Sequence, residues 1–393
     1  MSDQSIFDYT VRLRRELHEY PEIGFDLPKT LALVRRELEA MGIPYTEEYG
    51  RSSIVATINP ECKDFTIGIR GDMDALPLQE ADQKKPYCSK IPGQMHACGH
   101  DSHTAILLGT ARELKTKEKE LACRVKLLFT PAEEYINPGC KEMVEDGVME
   151  DIDCAVACHI MPSVDVGQIK LRSGGINGNS MGFTIEFFGK SAHAAGQEGG
   201  KDAIAMAVEA YTAMEIMVAR EFKATIPRVL NIGAFNGGHT NNIVCDYCKL
   251  FCSSRTHDDA VTQKILDRCT QICEGIAAMN GGSAKVTVNK FLPYVHNDSI
   301  VAERVRATAE KVLGAENVLE KERGLGGEDF AFFSRVKPCT MFNLGSGSSP
   351  ETRVPVHNVH MDIDERCMEV GVNLFVQFVL DNMGGIELRE VQL

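Results

Sequence analysis

The feature that most restricts the fold is a succession of short apolar runs separated by helix-like segments. Within the first 172 residues, SSIVATINP, FTIGIRGDMDA, RVKLLFTPA and DCAVACHI read as buried strands, while residues 5–20 and 28–41 read as amphipathic helices. Strands alternating with helices build an α/β domain, a mostly parallel sheet flanked by helices on both faces. The last three runs each end in residues able to do chemistry. Ligands of open α/β sheets gather at the carboxyl ends of the strands, so these ends are the first place to look for a site.

A cluster rich in Gly, Ser and Asn, SGGINGNSMG at 173–182, ends that alternation in the manner of a linker. A strand, a helix, two strands, a second helix and a last strand follow, the βαββαβ order of a ferredoxin-like split βαβ sandwich. From about residue 295 the helix–strand alternation resumes. The pattern is therefore that of an α+β domain inserted into the first one, with boundaries at 1–178 and 293–393 for the outer domain and 179–292 for the insert. A chain of 393 residues is also longer than one hydrophobic core usually serves.

Charge narrows the partners. Lys and Arg number 42 against 56 Asp and Glu, a net charge of −14, and no basic block stands out to attract a phosphate backbone. Nucleic acid is not an expected partner. No apolar stretch approaches the roughly 20 residues that cross a bilayer, so no membrane partner is expected. The start, MSDQSIFDYTVRLRRELHEY, lacks the basic end and apolar run of a secretory leader, which points to the cytoplasm. The 14 scattered cysteines fit reduced thiols rather than a disulfide framework. Cys245, Cys248 and Cys252 lie in a strand-like apolar run and read as small buried hydrophobes, and Cys269 and Cys273 share one helix face.

The chemistry concentrates in HACGHDSHTA at 96–105. Thiolate and imidazole are good zinc donors, and Cys98 and His100 would face one ion if this stretch were extended, because alternate residues of a strand share a face. Glu133 and Glu134 follow the strand RVKLLFT. Adjacent carboxylates repel, but a metal would stabilise one as ligand and leave its neighbour for proton transfer. His159 stands at the end of another strand, and His357 comes directly after an apparent strand in VPVHNVH, with His360 as its alternative. His103 is a candidate support for the site, and His96 reads as an ordinary core or surface histidine. His18, His239, His257 and His296 read as surface or turn residues.

In order and spacing, GIRGDMDALP, HACGHDSHTA, FTPAEE, GKSAHAA, GGEDF and HNVHMDIDE resemble the metal-dependent aminoacylase and carboxypeptidase family. The nearest match is its amidohydrolase subgroup of hippurate hydrolases, auxin-conjugate hydrolases and N-acetyl-diaminopimelate deacetylases. The resemblance covers nearly the whole chain. It implies a di-metal catalytic domain capped by an inserted lid, with two divalent ions per chain, zinc first and manganese, cobalt or nickel as alternatives. The subgroup's ligands fall on Cys98, His100, Glu134, His159 and His357. Asp72 and Asp74 replace the His-X-Asp pair of other relatives and, with Asp101, are expected to orient the ligands by hydrogen bonds.

The resemblance also implies a reaction. Metal ions lower the pKa of bound water toward about 7. Glu133 would take the proton from that water and deliver it to the departing amine. His193 and Asn242, both in the insert, would stabilise the oxyanion, and Arg255 would grip a substrate carboxylate with two hydrogen bonds. GGEDF, with Glu328 and Asp329, would form part of the cleft wall. Groups divided between two domains imply closure around substrate, and relatives that dimerise through the lid supply the histidine from the other subunit. The expected function is hydrolysis of N-acyl or aryl-acyl amino acids to a carboxylic acid and a free amino acid. Two alternatives remain: a dipeptidase or carboxypeptidase on the same metals, and a non-catalytic metal-binding or redox protein.

Overall fold

The computed structural model describes residues 5–389 and 391. The chain divides into two compact units, Met1–Ile176 with Val295–Glu322 and Asp329–Leu393, and Asn177–Tyr294 with Arg323–Glu328.

The first unit opens with α1 (Ile6–Glu19), α2 (Pro28–Met41), β1 (Tyr45–Thr46), β2 (Ile54–Ile58) and β3 (Thr66–Asp72). Then come α3 (His100–Thr116), β4 (Arg124–Thr130), α4 (Gly139–Glu145), β5 (Cys154–Asp165), β6 (Ile169–Leu171) and β7 (Gly174–Gly175). The second unit holds β8 (Asn179–Phe188), α5 (Ala203–Arg220), β9 (Arg228–Gly237), β10 (Tyr247–Thr256), α6 (Asp259–Met279) and β11 (Ser283–Leu292). The chain re-enters the first unit through β12 (His296–Asn297), α7 (Ser299–Leu313), β13 (Val318–Glu320), α8 (Ala331–Val336), β14 (Cys339–Gly347) and α9 (Arg366–Asn382).

Eight strands form the central sheet in the order β1-β2-β4-β3-β5-β14-β6-β13. Its middle four, β4, β3, β5 and β14, are parallel, and antiparallel pairs β1/β2, β2/β4 and β6/β14 flank them. The α/β class expected from the alternation is the one observed. Every residue of β3 is buried, which is why it reads as a continuous run rather than an alternating one: both faces of the sheet are covered. Val156, Cys158, Ile160, Phe342 and Leu344 point into a large core shared with α1, α3 and α9. Their neighbours Ala155, Ala157 and Met341 point into a smaller one with Cys140 and Met143 of α4 and Phe333 of α8.

The second unit is a four-stranded antiparallel sheet, β11-β8-β10-β9, in the βαββαβ chain order. Phe183, Ile185 and Phe187 of β8 pack with Met206, Ala210 and Met214 of α5 and Cys269 and Cys273 of α6. All 14 cysteines are free, and Cys248 and Cys252 are buried in this apolar core, while Cys245 is half-buried just before β10. No described helix is long and apolar enough to cross a membrane.

Close packing sets the position of α3, whose first residue is His100. A Cβ on Gly109 would stand 2.7 Å from Thr10 Cγ2 of α1 and 2.8 Å from Val372 Cγ2 of α9. Alanine favours a helix interior by up to about 1 kcal/mol over glycine, but overpacking costs about 1–3 kcal/mol. Gly109→Ala should therefore lower the urea midpoint of unfolding despite its helix propensity; a raised midpoint would show that α1 and α9 yield freely.

Candidate metal centre

Two aspartates at the carboxyl end of β3 shape the site. Arg70, itself buried in β3, donates to Asp72 Oδ2 at 2.6 Å, Asp329 Oδ1 at 2.5 Å and Thr130 Oγ1 at 2.9 Å. Asp74 accepts from the backbone N–H groups of Glu133 at 3.0 Å and Glu134 at 3.1 Å. The turn after β4, where Ala132 takes a left-handed φ of 58°, is thereby tied to the end of β3. This clamp presents Glu133 and Glu134 on one side of the site.

HACGH supplies the opposite side through a turn, not the extended stretch expected. Gly99 has φ of 85°, and a Cβ there would lie 2.6 Å from Ile160 Cδ1, so both conformation and space require glycine. The turn brings Cys98 beside His100, the first residue of α3. Cys98 Sγ lies 3.3 Å from His159 Nε2 on β5. His159 Nδ1 donates to the Ile160 carbonyl at 2.7 Å, which leaves Nε2 as the bare nitrogen facing the site. The Ile160 N–H donates to His103 Nε2 at 2.9 Å, and His103 Nδ1 donates to Asp72 Oδ1 at 2.6 Å. Ile160 of β5 is thus gripped through both its backbone N–H and its carbonyl.

The donor atoms converge. Cys98, His100 and His159 form one set whose ligand atoms lie within 4.8 Å of one another; Cys98, Glu134 and His357 form a second, and His100, Glu133 and Glu134 a third. The first two sets contain all five residues expected as ligands and share Cys98. Glu134 Oε1 stands 2.8 Å from His357 Nε2. Both ring nitrogens of His100 are buried without a hydrogen-bond partner, Asp74 and Asp72 oxygens standing off at 3.5 and 3.6 Å. A thiol, three imidazoles and adjacent carboxylates, with orphaned nitrogens at their centre, fit divalent metal ions.

Comparison with known proteins decides the lineage. Residues 68–381 match peptidase family M20/M25/M40. The chain belongs to this family. It is 33% identical to a hippurate hydrolase of Campylobacter jejuni over 372 residues, 94% of this chain and 95% of that one. An IAA-amino acid hydrolase, ILR1-like 4 of Arabidopsis thaliana, is 32% identical over 94% of this chain and 84% of its own. The crystal structure of Bacillus subtilis YXEP, described as a dinuclear metal-binding peptidase of the M20 family, superposes with a TM-score of 0.82 at 28% identity, covering 96% of this chain and 99% of that one. This M20-family chain is a hydrolytic enzyme.

Electrostatics suit the donors to cations. Burial, with His103 and His100 beside it, pushes the His159 imidazole down to about 3, so it is neutral and its lone pair is available. Burial alone would raise Asp72, but Arg70, His100 and His103 outweigh it and hold the carboxyl well below its usual range. Burial raises the Cys98 thiol, an effect that a coordinated cation reverses.

Several expectations need correction. No strand precedes His357: it follows a short helical turn at Glu351–Arg353, has a left-handed φ of 63°, and is held by its N–H to the Ala97 carbonyl at 2.7 Å. His360 is exposed and belongs to none of the donor sets among the described residues. Among the described residues Asp101 makes no hydrogen bond to a proposed ligand side chain; it accepts from Arg14 Nε at 2.9 Å and from His18 Nδ1 at 2.7 Å. His18, expected at the surface or in a turn, is wholly buried on α1, and its second nitrogen faces Glu80 at 3.4 Å. Asp329, expected in a cleft wall, is also buried and accepts from Arg70 and from Cys140 N–H. The buried pairing of Arg14 and His18 with Asp101, the residue after His100, was not anticipated. Their spacing of four on α1, alongside Leu13 and Leu17, was the available sign that they share the buried face.

The three expected residues of the insert lie in the second unit. His193 is exposed and its Nδ1 accepts from Ala195 N–H at 3.1 Å, which puts the ring proton on Nε2. The Asn242 carbonyl accepts from Ala194 N–H at 3.0 Å, so His193 and Asn242 sit on paired segments. Arg255, on β10, is half-buried, donates to the Ser254 carbonyl at 3.0 Å and has no carboxylate partner among the described residues.

Gly99 offers a test with an internal control. Gly93 also has positive φ, 75°, but open space where its Cβ would stand. Gly99→Ala should weaken metal binding at least tenfold by calorimetry, whereas Gly93→Ala carries only the backbone strain and should bind as the parent does. Equal effects would mean that the Ile160 contact is irrelevant.

Proposed function

We propose that this enzyme hydrolyses the amide bond of N-acyl and aryl-acyl amino acids, using two divalent ions held by Cys98, His100, Glu134, His159 and His357. The observation that carries this reading is the pair of three-donor sets sharing Cys98, with Glu133 grouped beside them. Bound there, the ions would polarise the scissile carbonyl and make water acidic enough to serve as a nucleophile near neutral pH. The thiol favours zinc, while manganese, cobalt and nickel are accepted by similar donors. Similarity to the hippurate and IAA-amino acid hydrolases supports an acyl or aryl-acyl amino acid as substrate. A dipeptidase would need the same centre. Fourteen free thiols are in keeping with a reducing compartment such as the cytoplasm.

Glu133 is the proposed general acid–base. Its backbone is fixed by Asp74, so its carboxyl is held near the donor sets while remaining outside the five-ligand set. It takes a proton from the attacking water and returns it to the amine nitrogen as the C–N bond breaks. His193, protonated at Nε2, and Asn242 are the proposed donors to the developing oxyanion. Each such donor is worth about 10²–10³ in rate. Arg255 is the proposed partner of the substrate carboxylate, because it is half-buried and no described carboxylate neutralises it.

Glu133→Gln should cut kcat by about 10²–10⁴ while two metal ions per chain remain by elemental analysis. Turnover of acetyl, benzoyl and indole-acetyl amino acids in preference to dipeptides, abolished by chelation and restored by metal, would support the reading; dipeptides alone turned over would replace it by the dipeptidase.

His193 must meet the centre in the reacting state, either from its own chain or from a second copy in a homodimer formed through the second unit. Mixing Glu133→Gln with His193→Ala protomers should restore some activity if the histidine crosses between copies. No recovery in verified mixed dimers would assign it to its own chain.

A further inference from the structure

Strand register places a second group of polar residues beside the metal centre. His159 of β5 is the register partner of Asn343 of β14, and Asn343 is in turn the partner of Lys170 of β6. Partners across adjacent strands point to the same face of a sheet. That face is the one bearing Ala155, Ala157 and Met341, so His159, Asn343 and Lys170 share it. Lys321 extends the pairing of β13 with β6, its N–H donating to the Leu171 carbonyl at 3.1 Å. Its ammonium group donates to Asn343 Oδ1. Arg172, two residues beyond Lys170, completes the group, with Nη1 3.5 Å from the Lys321 carbonyl.

This cluster lacks its complement. No carboxylate among the described residues pairs with Lys170, Arg172 or Lys321, in a chain of net charge −14 where most other buried or half-buried cations are paired. Asn343 is buried; its Oδ1 is taken by Lys321, and its Nδ2 donates to no described residue. What faces outward is donors only. Burial, with Lys170 and Arg172 nearby, pushes the Lys321 ammonium down to about 8, so the empty cradle is electrostatically unfavourable as it stands. Two strand spacings separate His159 from Lys170, about 10 Å between Cα atoms. That interval lies within the combined reach of a lysine stem and a dicarboxylic substrate anchored at the centre.

We propose that Lys170, Arg172, Lys321 and Asn343 form a subsite for a second carboxylate of the substrate, making dianionic N-acyl amino acids the preferred class. The inference rests on the N-acyl amino acid reading above. The extra carboxylate comes either from an acidic amino acid or from a dicarboxylic acyl group such as succinyl, and the same donors serve both.

Two matched pairs separate the sources: N-acetyl-glutamate against N-acetyl-glutamine, and N-succinyl-methionine against N-butanoyl-methionine. The charged member of one pair should be favoured at least tenfold in kcat/KM. Lys321→Met and Lys170→Met should each lower that charged-to-neutral ratio about tenfold or more, chiefly through KM, and Lys321→Arg should retain most of it. No charge preference in the parent enzyme, or a ratio unmoved by either methionine variant, overturns the subsite. If no N-acyl amino acid is hydrolysed, the broader reading fails, and the subsite is judged by calorimetry of N-acetyl-glutamate and N-succinyl-methionine binding to the metal-loaded protein. Tighter binding than the neutral partner, weakened about tenfold in Lys321→Met, upholds it; equal binding of charged and neutral members overturns it.

Discussion

Asp72 carries two duties at once. One oxygen neutralises Arg70 and the other accepts from His103 Nδ1, so a charge buried in β3 also fixes the tautomer of a histidine on α3. The consequence passes to β5, because His103 Nε2 is then free to accept from Ile160 N–H, next to His159. A buried carboxylate without such matching would cost several kcal/mol. With it, the end of β3, the middle of β5 and the start of α3 are tied into one arrangement, the kind of support that metal donors need to keep their geometry.

The centre divides its charges unevenly. Asp72 is matched by Arg70 and Asp74 by two backbone N–H groups, whereas His100 is left with two buried nitrogens and no hydrogen bond. Cys98 and Glu134 bring further anionic capacity to the same volume. Among the described residues the cation that balances Asp101 is Arg14, which faces that aspartate rather than the thiol or Glu134. Divalent ions would balance this anionic capacity without asking the protein to bury another side-chain cation.

The parallel sheet and the inserted βαββαβ unit were legible because apolar runs and turn residues carry their own periodicity. The five expected donors could be named because thiol, imidazole and carboxylate groups recur in motifs shared with a metal-dependent family, and the structure groups them in two sets that share Cys98. What the sequence concealed depends on distant partners or on a single backbone angle. Arg14 and His18 show α1's buried face, yet their partner Asp101 lies 87 and 83 residues away. Gly99 turns Cys98 toward His100 by taking a left-handed φ, where alternation along an extended strand was the simpler expectation. VPV before His357 has a strand-like composition but no neighbouring strand to pair with, and the backbone turns instead.

Charge placement gives the site its polarity. An excess of acidic residues over the whole chain repels anionic substrates at long range, so any surface that draws them must focus the opposite field locally. Three cations that have no counter-ion among the described residues, on the face that bears His159, do this over a short distance, and Asn343 supplies a neutral donor beside Lys321. Like charges gathered in a partly buried place are unfavourable while empty and favourable once a carboxylate arrives. Such an arrangement discriminates by electrostatics rather than by shape, because a neutral isostere of the same size leaves the donors unmatched and the repulsion unrelieved.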